Sequence, residues 1–171
     1  MILVDKNIKE LVEKGMLIVS NYKPENLGCV SYDLTTSDII VDDKEYKEYI
    51  LKPQEFVMIK TNEEIKIPTN MVGKVGEKNS LLRLGLFVSA PIYHPGHQTY
   101  IFLRVVNMSN KEIKLQENFK IAQIFFETLT EEPDEPYNKK ANASFNNENK
   151  YVRYGKYEDT YRKIIRKKGE D

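Results

Sequence analysis

Short apolar runs recur about every ten residues between positions 56 and 128. They are rich in β-branched and aromatic residues and are separated by Pro, Gly and Asn, which is the pattern of short strands joined by turns. Seven strands are predicted, at 56–60, 64–67, 71–75, 86–90, 99–106, 112–115 and 121–128. Even spacing of this kind is typical of an all-β protein, either a barrel or a roll of two sheets.

The N-terminal residues follow a helical period instead. Ile8, Leu11 and Val12 fall on one helix face, and Asp5 is placed to cap the helix N-terminus. Gly15 stands where helices commonly end, since glycine adopts the left-handed conformation without steric strain. The pattern therefore predicts one short helix ahead of the strands.

Beyond residue 130 the composition changes. Residues 131–136 form an acidic, proline-containing stretch, and residues 138–150 are poor in apolar side chains. Residues 151–171 regain tyrosines and end in a basic run around 162–168. We therefore divide the chain into a barrel domain with its N-terminal helix, 1–130, and a C-terminal connector and arm, 131–171. Such an arm either frays, as termini often do, or orders over a ligand or a neighbouring subunit.

Composition narrows the classes of function. The 171 residues suit one domain, and 26 Lys and Arg balance 26 Asp and Glu, so no global field predicts a nucleic acid or membrane partner. The single cysteine, Cys29, excludes an internal disulfide and the paired cysteines of zinc-dependent deaminases. No apolar run approaches the roughly 20 residues needed to span a bilayer, and the N-terminus becomes charged too soon for a secretory signal. A cytoplasmic protein is expected.

Three loop-like segments carry candidate chemistry. The first is Gly76-Glu-Lys-Asn-Ser-Leu-Leu-Arg-Leu-Gly-Leu86, in which Lys78, Ser80 and Arg83 lie close together. A planar guanidinium binds phosphate oxygens bidentately, and Gly85 permits tight backbone geometry. A charged hairpin edge with a turn glycine has the same composition, so both interpretations stay open for this segment alone.

The second segment is Tyr93-His-Pro-Gly96, and the third is Phe119-Lys-Ile-Ala-Gln123. His94 and His97 are the only histidines, and His94 is a candidate base because imidazole titrates near neutral pH. No Asp or Glu lies near them in the loop, so no metal site is predicted. Gln123 offers an amide to a ligand, although a single Gln on a strand is more often solvated.

In this order and at this spacing, the motifs resemble those of the dCTP deaminase and dUTPase superfamily, most closely those of dCTP deaminases. Three further stretches extend the resemblance: an opening helix and strand within residues 3–18, the signature Ser31-Tyr-Asp-Leu34, and Gly155-Lys-Tyr157 near the C-terminus. The resemblance implies a mainly-β fold, a distorted β-barrel of the dUTPase-like type. It also implies a homotrimer with sites built between subunits.

The same resemblance implies a ligand and its contacts. The ligand is a deoxypyrimidine triphosphate of the dCTP or dUTP class, which carries Mg²⁺ on its phosphate oxygens. The matched positions for nucleotide contacts are Lys78, Ser80, Arg83, Gln123, Lys156 and Tyr157.

The chain departs from the family pattern at three catalytic positions. Counting forward from Pro95-Gly96 places Arg104 where the deaminases have their catalytic glutamate. A guanidinium has no acceptor lone pair, so it cannot take a proton from water. His94 replaces the aspartate before Pro-Gly, and Asn79 replaces the first serine of a Ser-Ser pair. The resemblance thus assigns the catalytic positions to His94, Asn79 and Arg104 while removing the usual base.

The surroundings of Arg104 are themselves predicted. Both faces of the strand 99–106 are apolar, so Arg104 is expected to be partly buried. A buried cation needs a partner, and Asp33, Glu77 or an anionic ligand group would supply one. Sequence does not separate an internal ion pair from a ligand contact.

Three functions therefore remain open. The first is a dCTP deaminase-like protein that binds a deoxypyrimidine triphosphate, with lost or altered deaminase activity. The second is an active dCTP deaminase or dUTP diphosphatase in which His94, or a carboxylate from elsewhere, replaces the base. The third is a structural or protein-interaction barrel without a ligand. The altered catalytic positions favour the first, and whether the protein is an enzyme stays open.

Overall fold

Ten strands carry the apolar runs of the chain in a computed structural model that describes residues 1–165. They are β1 Leu17–Ser20, β2 Tyr32–Val41, β3 Lys44–Tyr46, β4 Glu48–Leu51, β5 Phe56–Lys66, β6 Met71–Gly76, β7 Leu86–Ser89, β8 Gln98–Asn107, β9 Ile113–Gln116 and β10 Lys120–Thr128. The helices are α1 Asp5–Glu13, α2 Asn79–Leu82 and α3 Glu158–Arg162, with 3₁₀ turns at Pro24–Asn26, Tyr137–Lys139 and Gly155–Tyr157.

Within these residues, eight strands form one sheet whose main path runs β6-β10-β2-β5-β8-β7, while β1 pairs with β5 and β3 with β2. Strands β4 and β9 pair separately. The main sheet nearly closes, because Gly73 on β6 exchanges two backbone hydrogen bonds of 2.9 Å with Tyr93 in the loop after β7. The expected mainly-β, barrel-like fold is confirmed.

Five of the seven predicted strands appear as separate strands, but 56–60 and 64–67 belong to the single strand β5. Its pairing with β8 is irregular between Lys60 and Glu64, which marks a bulge rather than a turn. Thr61 and Glu63 of this bulge are fully buried, and the Glu63 carboxylate accepts hydrogen bonds from the backbone N–H (2.9 Å) and hydroxyl (2.7 Å) of Thr35. Burial raises the pKa of Glu63.

The pattern also missed β2, which lies at the centre of the sheet. Its Thr, Ser and Asp residues interrupt the apolar alternation that identifies a strand. Thr35 and Thr36 are nevertheless buried, and Thr36 reaches the carbonyl of Phe119 with its backbone N–H (2.9 Å) and its hydroxyl (3.3 Å). Polar residues are tolerated in a central strand because each finds a hydrogen-bond partner.

Helix α1 starts one residue earlier than a cap at Asp5 requires. Val4 occupies the N-cap position and makes no side-chain cap, while Asp5 is the first helical residue and accepts a bond from the N–H of Lys6 (2.8 Å). The predicted cap is therefore wrong. The predicted end is confirmed, because Gly15 follows the helix with a φ of +71° and bonds back to Val12.

Alternation along β8 separates the core from an outward surface. Ile101, Leu103 and Val105 are fully buried. Each side chain of this kind stabilises the fold by about 1.5–3 kcal/mol when it leaves water. The alternate residues of β8, from Tyr100 to Val106, point away from this core.

The segment after β10 returns over the barrel, and we call its residues 137–153 the arm. The Nε2–H of His97 donates to the Phe145 carbonyl (2.7 Å), and the Tyr151 ring lies 5.7 Å from the ring of Phe102. Arg153 bonds Asp43 at the β2–β3 turn (3.1 Å). The arm is thus ordered on its own chain.

The boundary at residue 130 stays a prediction, and residues 166–168 of the predicted basic run lie outside the described residues. No helix within residues 1–165 has the length and apolar character needed to cross a membrane.

Candidate functional site

Strand β8 separates the predicted site residues into two groups. Lys78, Ser80 and Arg83 lie on or beside α2, at the end of β8 where Leu86 pairs with Asn107. His94 and His97 lie in the loop that leads into the other end, at Gln98. The ten residues of β8 span about 30 Å, so one chain does not bring the two groups together along β8.

Around α2, some charged side chains form ion pairs within the chain and others face solvent. Lys78 Nζ lies 2.5 Å from a carboxylate oxygen of Asp33, and Lys120 lies 3.2 Å from the other oxygen. Arg83 is exposed, and its Nε donates to the Asn79 side-chain oxygen (3.3 Å). Lys78 is therefore partly neutralised, whereas the guanidinium of Arg83 faces solvent.

Gln123 connects strands rather than facing open space. Its Nε2 donates to the Glu77 carbonyl (2.9 Å), and its Oε1 accepts from the Ser31 hydroxyl (3.0 Å). Both ends of the amide are thus used within the chain. In this structure Gln123 holds the backbone of Glu77, near the start of the segment Gly76–Leu86.

Arg104 is exposed, and its Nε donates to the hydroxyl of Ser89 on β7 (3.2 Å). The expectation of a partly buried Arg104 paired with Asp33 or Glu77 is wrong. Asp33 is held by two lysines, and the Glu77 carboxylate accepts from the backbone N–H of Val88 (3.1 Å). Alternation predicts which face a residue occupies, but it does not tell whether that face is covered.

The outward surface around Arg104 is apolar and open. Val106 pairs with Phe56 on one side and Phe87 on the other, and these phenylalanines are 60% and 45% exposed. We call the surface formed by Phe56, Phe87, Arg104 and Val106 the outer face. Adjacent exposed aromatic side chains beside a charged group are typical of a protein interface.

A cavity of about 330 Å³ lies between the loop 91–97, the start of β8 and the arm. We call it the aromatic cavity, and the side chains that line it include Tyr93, His94, His97, Thr99, Tyr100, Phe102, Tyr137, Phe145, Glu148 and Tyr151. A larger cavity of about 760 Å³ borders His94 on the side of the acidic stretch 131–136, and Tyr157 lines it. Lys78, Ser80 and Arg83 line neither of them.

The two histidines are held by Tyr137 of the arm. The ring of His94 stacks on it at 5.5 Å, and the ring of His97 lies 4.3 Å from it. His97 is only 5% exposed, and burial lowers its pKa. Because its Nε2–H donates to a carbonyl, Nδ1 carries a lone pair, and this buried atom has no hydrogen-bond partner among the described residues.

Glu148 is a candidate site residue that the sequence interpretation missed. It lines the aromatic cavity, and burial raises the pKa of its carboxyl to about 6 even though the Val152 N–H opposes the shift. It is the only acidic residue between Tyr137 and Tyr157, which is the one signal that sequence offers. That stretch has no periodicity from which its position could be predicted.

The remaining predicted residues are placed as follows. Asn79 begins α2, and Tyr157 lies beside the larger cavity. The side chain of Lys156 lies outside what the structure describes. Within residues 1–165, no group of three or more His, Cys, Asp or Glu side chains is placed to hold a metal ion.

The architecture is shared with a solved enzyme structure. The crystal structure of 2'-deoxycytidine 5'-triphosphate deaminase from Agrobacterium tumefaciens superposes with a TM-score of 0.65 at 16% identity. The match covers 74% of this chain, which spans about half (48%) of that chain. The barrel is therefore of the dUTPase-like type.

Sequence comparison identifies the family. The sequence model of the dCTP deaminase-like family matches residues 38–129. A dUMP-forming dCTP deaminase from Aquifex aeolicus is 33% identical over 159 residues, which is 82% of this chain and 88% of that protein. A dCTP deaminase from Wigglesworthia glossinidia brevipalpis is 36% identical over 133 residues, with 77% and 66% covered. The chain belongs to the dCTP deaminase-like family, as its motifs predict.

Proposed function

We propose that this protein binds a deoxypyrimidine triphosphate of the dCTP or dUTP class, and that its deaminase activity is lost or altered. One observation carries the second half of the proposal. At the position where the family resemblance places the catalytic glutamate, Arg104 projects from β8 and bonds Ser89. A guanidinium remains protonated at all physiological pH values, so this position supplies no base.

Triphosphate binding is supported by Lys78, Ser80 and Arg83 on or beside α2, which we call the α2 group. Arg83 is exposed and near Ser80, and a guanidinium beside a hydroxyl suits phosphate oxygens. Gly85 fixes the backbone there with a φ of +84°, and a Cβ at this position would lie 2.9 Å from the Cβ of Ser109. Mg²⁺ would arrive on the phosphate oxygens as part of the ligand.

A homotrimer with composite sites is part of the same proposal. The α2 group and the aromatic cavity lie at opposite ends of β8, so a nucleotide that contacts both needs them from two different chains. The exposed phenylalanines Phe56 and Phe87 of the outer face give a second copy an apolar surface to cover. Arg104 would then lie beside that interface.

Nucleotide binding is tested by thermal shift and calorimetry with dCTP and dUTP in the presence of Mg²⁺, using ATP as the control ligand. We expect stabilisation by a deoxypyrimidine triphosphate, and no stabilisation by ATP. Absence of binding to both dCTP and dUTP would overturn the proposal. Ammonia and pyrophosphate release, followed by chromatography in the same samples, reports the chemistry.

The lost base is tested by Arg104→Glu, which restores a carboxylate on β8. We expect ammonia release from dCTP to rise at least tenfold, because general acid–base catalysis contributes on the order of 10²–10⁴-fold and the pocket is not otherwise tuned. Arg104→Gln is the matched control and should not show the increase. An unchanged rate in Arg104→Glu with dCTP still bound would show that this position no longer faces the ligand.

A second candidate function is that of an active deaminase or dUTP diphosphatase with a substituted base. Two titratable groups favour it, because His94 borders both cavities and Glu148 lines one of them. Pyrophosphate release from dUTP, or rapid ammonia release from dCTP by the unmodified protein, would select this candidate.

A further inference from the structure

The arm fixes the backbone of Glu148 against the free edge of β8. The N–H of Asn147 donates to the Gln98 carbonyl (2.6 Å), and the Glu148 carbonyl accepts from the Tyr100 N–H (3.1 Å). The Thr99 hydroxyl gives the same carbonyl a further bond (3.2 Å). These bonds hold the backbone of residue 148 at the edge of β8, which fixes the place from which its side chain projects.

The side chains that line the cavity with Glu148 are mostly aromatic. Across the aromatic cavity lie His94, His97 and four tyrosines, with Arg153 at its margin. Lys60, on the neighbouring strand β5, is turned to the Asn149 carbonyl (2.5 Å) and the Tyr100 ring (4.4 Å). No cation whose side chain the structure describes forms an ion pair with Glu148, and burial raises the pKa of its carboxyl.

His97, which also lines the aromatic cavity, has a buried polar atom without a hydrogen-bond partner among the described residues. The buried Nδ1 of His97 is an acceptor without a donor among the described residues. Buried acceptors are nearly always satisfied, so an orphan of this kind indicates a ligand or water that supplies an N–H or O–H. A planar ring with an amino group would lie between aromatic walls and donate to such acceptors.

We propose that Glu148 is the catalytic acid–base residue of this protein, in place of the glutamate that Arg104 replaces on β8. This inference rests on the proposed binding of a deoxypyrimidine triphosphate, with the ring in the aromatic cavity. Of the two alternatives, lost or altered deaminase activity, the inference adopts the altered one and assigns the acid–base role to Glu148 in the arm. The raised pKa supports it, because a base works best when its pKa is close to the ambient pH.

The proposed step balances with water as the only co-reactant. The Glu148 carboxylate takes a proton from water, whose oxygen forms a bond to the ring carbon that bears the amino group. The carboxylic acid returns that proton to the ring nitrogen. The carboxylate then accepts the proton of the new hydroxyl and passes it to the amino group. The carbon–nitrogen bond breaks with its electron pair on nitrogen, ammonia leaves, and the ring keeps the oxygen as a carbonyl. Glu148 ends as the carboxylate.

The test compares Glu148→Gln with the unmodified protein and with Glu10→Gln. Glu10 is exposed on α1 and lines neither the aromatic cavity nor the larger cavity, so Glu10→Gln removes an equal charge away from both. Ammonia release from dCTP is measured between pH 5 and 8, and dCTP binding is measured by calorimetry. We expect Glu148→Gln to lose at least 100-fold in kcat while its Kd for dCTP changes less than threefold. Glu10→Gln should match the unmodified protein.

The pH profile separates a catalytic role from a structural one. In the unmodified protein, kcat should fall below about pH 6 as the carboxylate is protonated, and Glu148→Asp should keep that limb at a reduced rate. Equal rates in Glu148→Gln and the unmodified protein would overturn the inference. So would binding of dCTP without any ammonia release. Failure to bind dCTP or dUTP would instead overturn the proposed function.

Discussion

The two ends of β8 present polar groups in opposite ways. At the α2 end, Lys78 is already paired with Asp33, and Arg83 stands open to solvent. At the other end, the arm lines a cavity in which Glu148 is half-buried and the Nδ1 of His97 is buried without a partner among the described residues. The first end is open and charged, which suits a phosphate group, and the second is a largely aromatic cavity, which suits a flat ring.

This difference suggests how one ligand uses both. A nucleoside triphosphate has a charged tail and a planar base, and the two ends match these parts separately. Because β8 holds the ends apart, the comparison predicts that each bound nucleotide takes its phosphate contacts from one chain and its base contacts from another. The most direct experiments mix chains that are defective at different ends.

The largest effect is expected from subunit mixing. Arg83→Ala chains, impaired in dCTP binding, and Glu148→Gln chains, impaired in catalysis, are unfolded together and refolded in equal amounts. Ammonia release is then assayed at a dCTP concentration that saturates only sites with an intact Arg83. If each site draws on two chains, about a quarter of the sites recover both intact halves, and activity returns to about a quarter of the unmodified rate. Mixing without unfolding is the control for chain exchange.

If each site is built within one chain, every site in the mixture carries one defect, and no activity returns. That result would refute the composite site while leaving nucleotide binding intact. Size measurement by light scattering on the same samples checks that the mixed chains assemble as the parent does.

The next largest effect concerns the open end alone. Arg83→Ala should weaken dCTP binding about 30- to 100-fold, because it removes charge-assisted bonds worth about 2–3 kcal/mol to the phosphates. Arg162→Ala is the matched control, since Arg162 is also exposed but pairs with Glu158 on α3. Calorimetry with dCTP gives both affinities. A loss of the same size in Arg162→Ala would indicate a general charge effect.

At the end of β8 beside the arm, packing between the loop 91–97 and the arm can be tested at Gly96. This residue has a φ of +77°, and a Cβ there would lie 2.5 Å from the side-chain oxygen of Asn138 in the arm. Gly96→Ala should lower the free energy of unfolding by about 1–3 kcal/mol, through backbone strain and displacement of the arm. Gly15→Ala has a similar φ of +71° with no atom within 4 Å of the new Cβ, so it isolates the strain. Equal losses in denaturant melts would show that the arm does not clamp Gly96.

The smallest effect is a pH dependence of stability. The pKa of Glu148 rises from the ordinary 4.5 to about 6 on burial. Between these values the folded state binds more protons than the unfolded chain, so stability falls as the pH rises through this window. Glu148→Gln should therefore exceed the unmodified protein by roughly 1 kcal/mol above pH 6, allowing for solvent screening, and match it near pH 4. A constant difference across the window would contradict a buried carboxyl.

The fold followed from the sequence where side chains alternate between core and exterior. Strand β8 was predicted to within one residue at each end because Ile101, Leu103 and Val105 recur with period two. Strand β2 was not predicted because its polar residues form hydrogen bonds with groups distant in sequence, such as Glu63, which no local pattern reveals. The barrel was predictable from periodicity, and its central strand was not.

The site was only partly predictable for a related reason. The motifs select Arg83 and His94 as candidates, which stay predictions, whereas the exposure of Arg104 depends on what covers the outer face. The position of Glu148 depends on backbone bonds between the arm and β8, which place a residue by register rather than by its identity. Sequence indicates which groups exist, whereas long-range hydrogen bonds decide which of them meet.

The docking of residues 145–149 has a further consequence for solution behaviour. Strand β7 pairs with β8 only from Arg104 to Asn107, which by itself would leave the N–H and C=O groups nearer Gln98 without partners. Unpaired strand margins recruit other polypeptides and nucleate fibrils. Because the backbone of residues 145–149 covers this edge of β8, the edge is not free to pair with another chain and start aggregation. Truncation before residue 145 should therefore make the protein prone to aggregate.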